Sequence, residues 1–211
     1  MQYELNGTLY DVEIVRKNNR NTYLRMKEPN IIYVTTSYFT TKRQVKQLLE
    51  SNEKALLRME QQLKKREEKK KHFYYLGEVY DIITVTTIKK VEVIEHNIYT
   101  PSKEALEKWL RKQARMLFQE RLDYYYQLME ESLPNPKLRI RQMKTRWGVC
   151  NRKSETITLN TELIHYPRIC TDYVVVHELS HFTHFNHSKD FWNLVSKYCP
   201  NYKEIKKILK G

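Results

Sequence analysis

Glycine and proline are scarce in this chain, at 4 and 6 of 211 residues. Few positions are set aside for left-handed turns or chain breaks, so well-formed elements joined by short connections are expected. Cysteine is rarer still. Cys150, Cys170 and Cys199 are odd in number and far apart. They imply no disulfide framework and no CxxC metal pair, and they suit a reducing cytoplasm. No stretch of about 18 consecutive apolar residues exists, which excludes an apolar membrane-spanning helix. Met1–Gly7 lacks a basic start followed by an apolar stretch, so no signal peptide is expected. A Gly-rich phosphate loop is missing as well.

Acidic residues are the minority charge. Asp and Glu number 25 against 38 Lys and Arg, a net charge of +13. Such a field attracts polyanions, nucleic acid among them, but it also serves simple solubility. The densest basic run, Lys64-Lys65-Arg66-Glu67-Glu68-Lys69-Lys70-Lys71, is broken by two glutamates and carries no aromatic. It reads first as a solvated helix end and second as a nucleic-acid arm.

What is present is patterned. Asn6-Gly7 is a hairpin signal, and Tyr10, Val12 and Ile14 alternate with Asp11 and Glu13. Strands are expected to continue at 22–26 and 31–35. Thr40 or Thr41 then caps one long helix to about Lys71, with Val45, Leu48, Leu49, Leu56, Met59 and Leu63 at helical spacing. Strands resume over 73–99, with a turn at Gly77-Glu78. A second long helix starts at Pro101-Ser102 and ends near Pro134. Short strands at 138–141 and 156–159 flank a turn or loop at 145–148. Pro167 opens the next helix, and two more follow. The pattern predicts an α+β fold, with a β-rich N-terminal region and a long basic helix over 1–100, and a C-terminal domain over 101–211.

The chemistry is concentrated in His177-Glu178-Leu179-Ser180-His181 and the residues after it. Histidines four apart on a helix differ by about 40° in azimuth and about 6 Å in rise. Their rings can converge on one zinc ion at about 2.0 Å. Glu178 then lies beside the ion rather than on it, where a general base for the attacking water is needed. Val174, Val175, Val176 and Leu179 make this a buried helix, and burying its histidines without a ligand costs free energy. For the third ligand, His184 sits about 10.5 Å along the axis from His177. His187 follows Asn186, where the chain can turn back, and is the favoured choice. His184 is left as a supporting hydrogen-bond donor, a substrate contact or rim polarity. Tyr173, Arg146 and Lys144 are candidates to stabilise an oxyanion. His72, His96 and His165 read as ordinary polar residues. Thr156–Asn160 is expected to edge the cleft and pair with an extended peptide.

Met143–Cys150, Ile157–Asn160, Tyr173–His181 and Asn186–Trp192 together resemble the YgjP-like metallopeptidase family, which is related to the SprT-like zinc peptidases. The resemblance extends over nearly the whole chain. It implies a zincin-like catalytic domain, zinc on His177, His181 and His187, Glu178 as base, and peptide or protein substrates. Val149 stands where the family usually has serine, a departure that touches no metal ligand. Two rival readings follow from the charge: a metal-dependent phosphohydrolase of nucleotides, and a peptidase recruited to nucleic-acid-bound protein.

Overall fold

In the computed structural model, residues 1–210 are described. The chain divides into two compact units, Met1–Lys71 and His72–Gly211. It is α+β throughout. No helix among the described residues is long and apolar enough to cross a membrane.

The first unit opens with β1 (Gln2–Leu5) and β2 (Thr8–Lys17), joined at Asn6 and Gly7, whose φ values of 48° and 77° are those of a tight hairpin turn. β3 (Tyr23–Arg25) and β4 (Ile31–Ser37) complete a sheet of order β1-β2-β4-β3, in which β2 and β4 run parallel. Its buried side chains Tyr3, Leu5, Tyr10, Val12, Ile32 and Val34 pack with Val45, Leu49 and Leu56. Thr41 caps α1 (Lys42–Ser51) through a reciprocal capping box with Gln44. The single long helix expected here is two. α1 ends at Asn52, and α2 runs Glu53–Lys70. Ser51 Oγ and Asn52 Nδ2 both donate to the Leu48 carbonyl, at 3.1 and 2.8 Å, so side chains compete for the backbone where the helix would continue. In the basic run, Lys64 pairs with Glu60 at 2.6 Å and Lys71 with Glu68 at 2.7 Å. The side chains of Arg66, Lys69 and Lys70 lie outside the described residues.

The second unit begins with β5 (Phe73–Tyr75), β6 (Glu78–Thr84), β7 (Glu92–Ile94) and β8 (Asn97–Thr100), in the order β5-β6-β8-β7. This is the topology of the first sheet again. Aligned on Gly7 and Gly77, Tyr10-Asp11 matches Tyr80-Asp81, and the pair Tyr3–Tyr10 matches Phe73–Tyr80. The turn falls on Leu76 and Gly77 (φ 53° and 89°), one residue before the expected Gly77-Glu78.

These strands pack with the C-terminal half, within the His72–Gly211 unit. The Leu76 N–H donates to the Ile164 carbonyl at 2.9 Å, and His165 Nδ1 lies 2.6 Å from the Tyr74 carbonyl. A Cβ on Gly77 would sit 2.5 Å from Pro167 Cγ.

α3 (Lys103–Leu128), capped by Ser102, stops short of Pro134 because buried Met129 turns into the core. β9 (Lys137–Arg141), β10 (Gly148–Asn151) and β11 (Thr156–Asn160) form a sheet of order β10-β11-β9. β10 was not expected from the sequence, since its four residues carry no alternation. A short 3-10 helix, Thr161–His165, leads to α4 (Arg168–Thr183), followed by α5 (Lys189–Tyr198) and α6 (Tyr202–Lys210).

α4 is apolar on nearly every side: Cys170, Val174, Val175, Val176, Leu179 and Phe182 all join the core. Arg121 of α3 pairs with Asp172 of α4, both side chains mostly buried, and Arg168 pairs with Glu120 nearby. Burial raises the Asp172 carboxyl above its usual range, while Arg121 pulls it back. Removing the cation strands a mostly buried carboxylate. Arg121→Ala is therefore expected to lower unfolding free energy by about 3 kcal/mol, and Asp172→Asn by less, as read from urea melts of each variant.

Candidate metal centre

His177 and His181 project from the last two turns of α4, and His187 comes back from the segment between α4 and α5. Their ring centroids form a nearly equilateral triangle, with separations of 4.9, 5.0 and 4.9 Å. One ligand atom from each lies within 4.8 Å of the others. His177 Nε2 and His187 Nε2 are 3.2 Å apart. Nitrogens bound tetrahedrally at about 2.05 Å would be about 3.3 Å apart, so the donor set suits such an ion. His181 Nδ1 lies 3.1 Å from the His184 carbonyl; donating there, it leaves Nε2 with its lone pair. Burial, followed by the other two rings, pushes His177 down to about 3, so its imidazole stays neutral. His177 Nδ1 is buried with no partner among the described residues.

The floor under the triad is one side chain. The fully buried Phe191 ring lies 4.9, 4.7 and 4.8 Å from the three imidazoles. Ser188 caps α5 and so fixes where Phe191 and Trp192 emerge. Trp192 stacks on His187 at 5.6 Å, and Tyr202 stacks on Trp192 at 5.1 Å.

The Glu178 carboxylate lines the same cavity, of about 610 Å³, from the side facing β10. It is 5% exposed and outside the histidine cluster. Burial pushes it up to about 7, against the opposing pull of the Cys150 N–H, which donates to it, and the Arg146 charge. Gly148 makes room for it. A Cβ there would fall 2.6 Å from Glu178 Oε1, 2.7 Å from its Cγ and 2.8 Å from Val174 Cγ1. Buried Asn160 holds the preceding loop: its Nδ2 donates to the carbonyls of Met143 and Arg146, both at 2.9 Å, and its Oδ1 accepts from the Met143 N–H at 3.2 Å.

A family model described as "YgjP-like, metallopeptidase domain" matches residues 20–211. The chain belongs to the YgjP-like metallopeptidase family. It is a hydrolase acting on peptide bonds, and the phosphohydrolase reading is not favoured. Among solved structures, the metallopeptidase zymogen abylysin of Pyrococcus abyssi is 28% identical, with 44% of this chain and 90% of that one covered and a TM-score of 0.40. The zymogen jannalysin of Methanocaldococcus jannaschii is 25% identical, with 46% and 88% covered and a TM-score of 0.36. No curated protein matches the chain.

In this YgjP-like peptidase, Tyr173 and Arg146 line the cavity with Glu178 and the triad, whereas Lys144 is exposed outside the lining. Burial raises the Tyr173 hydroxyl to about 12, so it stays protonated. His184 is outside the cluster; its carbonyl, rather than its ring, meets His181. His96 packs its ring against Tyr80. The expectation that Thr156–Asn160 edges the cleft is corrected: β11 is central, with β10 antiparallel on one side and β9 parallel on the other. The strand lining the cavity is β10.

Sequence reasoning missed the roles of Phe191, Gly148 and the Cys150 N–H. Each sat inside a motif, but its role depends on an approach made across the fold. Gly148→Ala is expected to keep metal content while displacing the Glu178 carboxylate. Peptide turnover should fall by roughly 100-fold, the scale of an ångström of misplacement. Wild-type turnover in a folded Gly148→Ala protein would refute the importance of this close approach.

Proposed function

We propose that the chain is a zinc peptidase in which His177, His181 and His187 hold the ion and Glu178 is the general base. The observation that supports it is the triangle of imidazoles beside a buried carboxylate in one cavity. A bound zinc ion supplies Lewis acidity, lowering the pKa of a coordinated water and polarising the scissile carbonyl. His177, His181 and His187 would hold that ion through their ring nitrogens. Glu178 accepts a proton from the attacking water at its carboxylate and passes it to the leaving amine nitrogen. The Cys150 N–H favours the charged form of that carboxylate. Tyr173 and Arg146 are the candidates to donate to the carbonyl oxygen as it gains charge. An extended substrate would add to the free edge of β10, by backbone hydrogen bonds that tolerate many side chains.

On this reading the catalytic domain is zincin-like and takes in residues 72–211. A cytoplasmic setting is proposed with it, on the strength of three free cysteines.

Two experiments test the proposal. Glu178→Gln keeps the size of the side chain but cannot accept the proton. Zinc content and melting temperature should stay close to wild type while peptide turnover falls by roughly 100-fold or more; an active variant would remove Glu178 as base. Separately, elemental analysis of purified variants should find zinc lost in His187→Ala and in His181→Ala but retained in His184→Ala. Release of zinc by the His184 variant alone would show that the ligand set is wrong.

A further inference from the structure

We propose that the β4–α1 end of the Met1–Lys71 unit binds single-stranded nucleic acid, through the rings of Tyr38 and Phe39 and the cations of Lys17, Arg20, Lys42 and Arg43. Phe39 is 93% exposed and Tyr38 62%. Two neighbouring aromatics turned to solvent add nothing to the core. Yet the loop that presents them is firmly held. The Arg16 Nη1 donates to the carbonyls of Ser37, Tyr38 and Thr40 at 3.4, 3.0 and 2.7 Å. Buried Thr36 donates to Thr40 Oγ1 at 2.8 Å and shares a 2.8 Å hydroxyl contact with Thr22. The Phe39 N–H donates to Ser37 Oγ at 3.3 Å, and the Thr41 capping box closes the far side.

The repeated topology gives an internal control. In the second sheet, only Pro101 separates β8 from the capping residue Ser102. In the first, Tyr38, Phe39 and Thr40 separate β4 from Thr41. The fold does without these residues, so their exposure calls for another reason.

Charge supplies the second observation. No Asp or Glu occurs from Ile14 to Lys27 or from Pro29 to Leu49. Lys17 pairs in register with Ser37, and Tyr23 with Thr35, so both basic segments meet at this end of the sheet. Lys17, Arg20, Lys42 and Arg43 are exposed and form no ion pair among the described residues. The basic run near Lys71 differs: Lys64 and Lys71 are paired with glutamates, and no aromatic stands among its residues.

The pairing of cations with rings selects the occupant. Phosphates satisfy the cations, and unstacked bases satisfy the rings. An acidic polypeptide would use the cations alone, and duplex DNA hides its base faces.

The test is fluorescence anisotropy of the full-length, zinc-loaded protein with labelled oligo(dT) and oligo(rU) over a salt series. Tyr38→Ala with Phe39→Ala should weaken binding about 10-fold or more with the salt slope kept, since stacking is worth roughly 1–3 kcal/mol per base. Lys42→Gln with Arg43→Gln should weaken binding and flatten the slope by roughly 0.7 for each phosphate no longer neutralised. Both variants should melt like wild type and cleave a short uncharged peptide at the wild-type rate. That readout keeps this surface separate from the catalytic reading. Three results would overturn the proposal: unchanged affinity in the aromatic variant, tighter binding of duplex than of single strand, or competition by poly-glutamate as strong as by oligo(dT).

Discussion

A carboxylate and two imidazoles have to be carried on a helix that is buried on almost every side. That constraint shapes the rest of the His72–Gly211 unit. α4 cannot be amphipathic, because its neighbours take up nearly its whole circumference. Each polar atom it brings inside then needs a partner or a purpose. Ser180 donates back to the Val176 carbonyl at 2.7 Å. Glu178 takes the Cys150 N–H, and Asp172 takes Arg121. His181 takes the His184 carbonyl. Among the buried site atoms of the described residues, His177 Nδ1 has no hydrogen-bond partner.

From the helix outward, each neighbouring element can be read as a support. β11 runs buried through the middle of its sheet and ends in Asn160, whose amide holds the loop before Gly148. β10 comes close to Glu178 because residue 148 has no side chain. α5 places Phe191 under all three rings at once, so the triad's spacing is set by packing as well as by the helix. Close packing between Gly77 and Pro167 ties the β5–β6 turn to the start of α4. The strands from Phe73 to Thr100 therefore belong to the same compact unit as α4.

The same sheet order is used twice, to different ends. In the second unit it is followed by α3, which covers α4. In the first it is followed by a loop held open by Arg16, with two aromatics outermost. The strand order and the turn glycine are shared, and the connection to the helix differs. A constant offset between Tyr10-Asp11 and Tyr80-Asp81 is readable from residues alone, but it is weak until the register of both sheets is known.

Local signals were readable in the chain where the physics is local. The Asn6-Gly7 hairpin, the Thr41 cap, the Ser102 cap and the helical spacing of His177 and His181 follow from short-range sterics and hydrogen bonding, which a few neighbouring residues determine by themselves. So does the placement of Glu178 beside the first histidine rather than in line with it. The split at Asn52 was less readable, because it depends on side chains winning a competition with the backbone that hydrophobic spacing does not register. Tertiary structure alone decided the matters that rest on long-range approach. It put Phe191 beneath the rings, made β10 rather than β11 the strand at the cavity, and packed the strands after residue 72 with the C-terminal half. Such approaches are specified by the shape complementarity of segments far apart in the chain, and no pattern within either segment encodes the other.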